Sequence, residues 1–176
     1  MALTLLALLA TGAACSDDGA DVRGSGSASG SGSGSGSGSA VAGECTVADG
    51  TDGVDDAETV IDATLDEWSI QLDPTTVDAG AIGFTVENAG ERNHEIVIAA
   101  ATVDDIEVVD GKPDEDALGD AVIGEVEAFP AGDTCEGTFD LEPGTYVAFC
   151  ALVDENDDGT TESHYENGMV TTFTVS

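Results

Sequence analysis

From residue 68 onward, apolar residues recur at every second position, and this periodicity constrains the fold more than any other feature. WSIQL (68–72) sets Trp68, Ile70 and Leu72 on one face, with Ser69 and Gln71 between them, before Pro74 ends the run. IGFTV (82–86) repeats the pattern with Ile82, Phe84 and Val86. EIVIAA (95–100) is continuously apolar, as a central strand buried on both faces is. VIGEV (122–126) is a weaker signal, TFDL (138–141) runs into the turn pair Pro143-Gly144, and YVAFCALV (146–153) is the strongest segment. In VTTFTV (170–175) the apolar positions Val170, Phe173 and Val175 are unevenly spaced, which predicts a bulge near Thr171 and Thr172. Short period-two segments separated by Gly, Asp and Pro turns predict an antiparallel β-sandwich. Residues 101–120, with Asp104, Asp105, Asp110, Asp114 and Asp116, read as a charged excursion containing a short helix. No long helix-period apolar face is present, which argues against a doubly wound α/β domain.

Charge narrows the function. The 176 residues hold 37 Asp and Glu against 3 Lys and Arg, a net charge of -34. A nucleic-acid binder needs a basic patch, and so does a protein that adsorbs to an anionic membrane surface. Yet 41% of the residues are hydrophobic, too many for an acidic disordered tail. From residue 44 onward, Arg92 and Lys112 are the only basic residues. Such a domain repels itself at low ionic strength and is relieved by salt, so a salt-exposed host is expected.

The front of the chain reads as processing and tethering. MALTLLALLATGAAC is too short to span a bilayer and resembles a lipoprotein export signal, with Cys15 as the lipidated first residue of the mature chain. It departs from that pattern in lacking a basic residue before the apolar run and in carrying Gly12 where an apolar residue is usual. The Gly/Ser run at 24–39 is a flexible coil with a reach of roughly 20–24 Å. The organisation predicted is an export signal at 1–14, a lipidated cysteine and tether at 15–43, an acidic prefix of unassigned state at 44–66, and one folded domain at 67–176. That domain would lie outside the cytoplasm, anchored at the cell surface or on the periplasmic side.

The chemistry-bearing residues are few. His94 opens an apolar strand, Cys150 ends another, and His164 lies five residues before Met169. Singly, each has an ordinary explanation: a turn histidine, an inert buried cysteine, a methionine filling the core. Together, two imidazoles, one thiolate and one thioether form the donor combination of blue-copper electron-transfer sites. Structural zinc draws on Cys and His without Met, so Met169 favours copper.

The order of these residues carries a family resemblance. V-x-A-G-x-I-x-F-x-V-x-N at 77–88, NHEIVI at 93–98, L-x-P-G-T-Y-x-x-x-C at 141–150 and H-Y-x-x-G-M at 164–169 make the stretch from Trp68 to Ser176 similar to the cupredoxins, the family of plastocyanin, halocyanin and sulfocyanin-like proteins. The resemblance implies an all-β Greek-key sandwich and one mononuclear type 1 copper ion held by His94, Cys150, His164 and Met169. It also implies a non-enzymatic electron carrier, monomeric, that meets redox partner proteins through a basic docking patch on their side. The electron would cross near an exposed His164 edge, within an apolar patch of Leu152, Tyr165 and Val170. A copper-handling module without fast redox exchange and a metal-free binding or sensor sandwich are the alternatives.

The chain departs from the small members of that family at three points. Thirteen acidic-rich residues separate Cys150 from His164, Glu95 follows His94 where an Asn is common, and the prefix 44–66 has no clear counterpart. With Cys15 given to lipid and Cys150 to metal by resemblance, Cys45 and Cys135 remain as a candidate disulfide, or as two reduced thiols.

Overall fold

The alternation becomes two sheets packed over a common core. The structure, a computed structural model, describes residues 45–176. The export signal, Cys15 and the tether lie outside the described residues.

In chain order the strands are β1 (Val47–Ala48), β2 (Thr51–Asp52), β3 (Thr59–Asp66), β4 (Ser69–Asp73), β5 (Thr76–Val77), β6 (Gly80–Asn88), β7 (His94–Ala99), β8 (Val108–Val109), β9 (Lys112–Pro113), β10 (Val122–Phe129), β11 (Thr134–Leu141), β12 (Gly144–Phe149), β13 (Val153–Glu155), β14 (Thr161–Ser163) and β15 (Val170–Val175). One sheet has the order β1-β10-β7-β12-β15-β5 and the other β2-β11-β6-β3-β4. β13 pairs with β14, and β8 with β9, as separate two-stranded ribbons. Most pairs are antiparallel as expected, but β3 with β6 and β15 with β5 are parallel.

The prefix at 44–66 is part of the sandwich. In β3, Ile61, Ala63 and Leu65 point into the core while Asp62 and Asp66 are exposed, and the strand lies between β6 and β4. The sequence boundary at 67 therefore falls in the turn of the β3–β4 hairpin. Cys45 and Cys135 are joined in a disulfide with Cα atoms 5.5 Å apart, tying the segment before β1 to β11. Closing the 90-residue separation is worth about 4–5 kcal/mol on the chain-entropy account.

Between the sheets lie Ile61, Leu65, Ile82, Phe84, Val86, Ile96, Ile98, Phe139 and Phe173, all 0–2% exposed. Each such side chain stabilises the fold by about 1.5–3 kcal/mol on burial. Phe84 packs edge-on against Phe139 and Phe173, with centroids 5.9 and 5.7 Å away. The turn before β12 is closed by the Tyr146 hydroxyl, which donates to the Glu142 carbonyl at 2.8 Å.

The six-stranded sheet is also covered on its outer face. Val97, Ala99, Val147, Phe149 and Ala151 form a second buried cluster, roofed by Ala101, Ile106 and Leu118 of the charged excursion together with Tyr165 and Val170. That excursion contains the expected short helix, α1 (Glu115–Leu118), capped by the Asp114 side chain, which accepts from the Ala117 N–H. The outer cluster explains the uneven spacing in β15. Val170 serves the outer cluster, Phe173 and Val175 serve the inter-sheet core, and the register with β12 runs unbroken from Val175 to Val170, with no bulge. The register shifts fall in β10 instead, between Val122 and Gly124 and between Val126 and Phe129. Among the described residues no helix is long and apolar enough to cross a membrane.

Candidate metal centre

Three neighbouring strands deliver the candidate ligands to one end of the sandwich. β7 begins at His94, β12 ends one residue before Cys150, and β15 begins one residue after Met169. Because β7 and β15 both run antiparallel to β12, these three positions share an edge. His164 follows β14, and backbone bonds lock it there: its N–H donates to Leu152 O, Met169 N–H donates to His164 O, and Cys150 N–H donates to Met169 O, at 3.0, 3.0 and 3.1 Å. Gly168, at φ +123°, completes this turn; a Cβ there would lie 3.0 Å from the Trp68 carbonyl.

His94, Cys150 and His164 converge so that one donor atom from each lies within 4.8 Å of the others. All three side chains are fully buried, and so is Met169. The two Nδ1 atoms are 3.1 Å apart, and Cys150 Sγ is 3.4 Å from His164 Nδ1. Burial pushes the Cys150 thiol up to about 12. A metal held there has to displace that proton, so binding and deprotonation are coupled. Burial and the neighbouring His164 hold His94 below the usual histidine range, against the opposing pull of Glu67. Neutral imidazole is the form that ligates a metal.

The outer side of the centre is charged. His94 Nε2 is 3.2 Å from Glu67 Oε1, and His164 Nε2 is 3.2 Å from Asp154 Oδ2. Glu67 also accepts from the backbone N–H groups of Glu91 and Arg92 at 2.9 and 3.0 Å. Burial opposes the ionisation of both carboxylates. It is outweighed at Glu67 by those backbone bonds, and at Asp154 by Arg92 and His164, so both sit below the usual carboxylate range. The Arg92 guanidinium bonds Asp154 at 2.6 Å and Glu162 at 3.0 Å, and lies 5.4 Å over the Trp68 ring. Trp68 is edge-on to His164 at 5.1 Å. Gly90 makes room for the Glu67–His94 contact, since a Cβ there would lie 2.7 Å from Glu67 Oε1 and 2.8 Å from His94 Nε2.

Several expectations change here. Trp68 belongs to the β3–β4 turn, not to a strand; it packs against the inter-sheet core and sets its ring edge-on to His164. His164 has no exposed edge, because Trp68 and Asp154 cover it. Of the expected apolar patch, Tyr165 and Val170 pack against the outer-face cluster and Leu152 against the inter-sheet core. Glu95 turns from the site and accepts the Ala151 N–H at 3.0 Å; burial pushes its carboxyl to about 7. Asn88, the last residue of the motif at 77–88, is fully buried and pins the 89–93 turn, donating to Arg92 O and Phe129 O and accepting from Gly90 N–H.

No family model matches the sequence, and no curated protein matches it. Solved structures do. Auracyanin B aligns over 72% of this chain and 96% of its own, at 19% identity and a TM-score of 0.52. The fold is that of the cupredoxins. An auracyanin from the photosynthetic bacterium Roseiflexus castenholzii aligns over 68% of this chain and 98% of its own, at 27% identity and a TM-score of 0.49. Rusticyanin from Thiobacillus ferrooxidans aligns over 68% and 79%, at 16% identity and a TM-score of 0.44. In this cupredoxin sandwich, two ring nitrogens and a sulfur face one another, and no charged side chain is interposed among them. That donor set fits one type 1 copper ion.

Proposed function

We propose that this protein is a blue-copper electron carrier, held outside the cytoplasm on a lipid anchor at Cys15. His94, Cys150 and His164 would hold the copper, and Met169 would add a weak thioether donor. When bound, the metal supplies a one-electron Cu(II)/Cu(I) couple. The chain supplies a fixed cage: strand ends, the His164–Met169 turn and full burial keep the donors in place and exclude water. The observation that carries this reading is the buried His94–Cys150–His164 convergence. Both histidines of the chain are used as donors, which favours a carrier over an enzyme. The Cys45–Cys135 disulfide favours an oxidising compartment. The acidic surface suits a one-electron partner with a basic docking patch.

Copper loading tests this. The loaded protein should show an intense thiolate-to-copper absorption band in the red. Cys150→Ser should abolish it, whereas Met169→Leu should keep the band and move the potential more than the affinity. A colourless, redox-silent copper complex would overturn the carrier reading.

A further inference from the structure

Each of the two buried imidazoles has a carboxylate on its outer nitrogen, at the same distance. Glu67 lies 3.2 Å from His94 Nε2, and Asp154 lies 3.2 Å from His164 Nε2. An ionised carboxylate only accepts hydrogen bonds, so the nitrogen facing it must carry the proton. A neutral ring protonated at Nε2 leaves a lone pair at Nδ1. Those two Nδ1 atoms are 3.1 Å apart, beside Cys150 Sγ. Two lone pairs at that distance repel, and a cation between them relieves this; without one, the Cys150 S–H, 3.4 Å from His164 Nδ1, is placed to donate to that lone pair.

We infer that Glu67 and Asp154 are positioning residues: each holds its histidine as the Nε2–H tautomer, so that both Nδ1 lone pairs face the Cys150 sulfur.

The assignment gives the long ligand loop a purpose. The thirteen residues between Cys150 and His164 fold back as the β13–β14 hairpin, in which Asp154 sits directly opposite Glu162. Like charges opposed across a ladder are unfavourable. Arg92 resolves this pair by bonding both carboxylates, and its own backbone N–H is held by Glu67. The two carboxylates therefore form one strap over the histidines: Glu67, the 89–92 turn, Arg92 and Asp154. A short ligand loop would have no residue available to return to His164 Nε2. The strap also places negative charge beside both ligand rings, which favours the more highly charged oxidised metal.

This inference rests on His94 and His164 being metal ligands, but its first test needs no metal. Imidazole nitrogen shifts of the metal-free full-length chain, read where both rings are neutral, should show Nε2–H alone on each ring. Asp154→Ala should release His164 into a tautomer mixture, while Asp154→Asn, whose amide oxygen still accepts, should restore the single tautomer. Affinity for Cu(II), by competition titration, should fall roughly 10–100-fold in Asp154→Ala and recover in Asp154→Asn. The reduction potential should rise in both, since both lose the charge. A single Nε2–H tautomer and unchanged affinity in Asp154→Ala would overturn the assignment, as would Nδ1–H on either ring of the wild type. If Asp154→Ala does not fold, the isosteric Asp154→Asn decides alone, and an unmoved potential there refutes the strap. Wild-type tautomers as expected, together with a colourless copper complex, would support the strap and sink the carrier.

Discussion

Inward from His94 and His164, the centre is bounded by Cys150, Met169 and the inter-sheet core, all fully shielded from water. Outward it is bounded by Glu67, Arg92, Asp154 and Glu162, whose side chains are 21–38% exposed. The inner side stabilises the fold by removing apolar area from water, a contribution that salt barely screens. The outer side adds little to stability, because exposed ion pairs gain modest Coulomb energy and lose side-chain entropy. It acts instead on which ring atom faces the metal. The same two histidines are thus held in place by packing and oriented by charge.

The difference can be broken at either side. Phe84→Ala removes the ring that joins Phe139 to Phe173, and should cost about 3–5 kcal/mol in denaturant unfolding, nearly unchanged by ionic strength. A loss below about 1 kcal/mol would mean that the inner side is not the stabilising one. Arg92→Leu leaves Asp154 facing Glu162 and should cost under about 1 kcal/mol at low salt, with the loss shrinking as salt rises. In the same experiment the wild-type midpoint should climb between ~10 mM and ~1 M salt, as self-repulsion is screened. An unchanged or falling midpoint would contradict an electrostatic outer surface.

Glu125→Gln should have the smallest effect, seen only as a pH trend. Burial first, then Glu115 and Glu127, raise the Glu125 carboxyl above its ordinary range, with Lys112 opposing. A carboxyl raised in the folded state favours folding while protonated, and that advantage is lost as pH rises through its folded value. Glu125→Gln should therefore match wild type in acid and gain relative stability toward neutral pH. Stability curves of the two proteins that stay parallel from acid to neutral would remove Glu125 from the account.

Most of the strands were legible because burial on one face writes a period of two into the chain. β3 was not, because Ala63 is small and Val60 faces outward, so Ile61 and Leu65 showed no clear period of two and the prefix stayed unassigned. The bulge expected in β15 arose from treating Val170, Phe173 and Val175 as one face, when the sheet is buried on two. The cluster of His94, Cys150 and His164 was legible because His and Cys are scarce: the chain has two histidines and four cysteines. Glu67 and Asp154 were not, because they are two among 37 acidic residues. Nothing in their local sequence distinguishes a carboxylate that touches a histidine from one that faces water.

Sequence alone determined a two-sheet β domain, its rare soft donors and its acidic surface, since periodicity, residue type and charge are carried by each position or its near neighbours. Tertiary structure alone decided that the prefix supplies a central strand, that the acidic loop doubles back as a hairpin, and that His164 is sealed beneath Trp68 and Asp154. Those contacts reach residues as far apart as Trp68 and His164, which meet across 96 positions. They depend on which strand ends share an edge, and no local pattern encodes that.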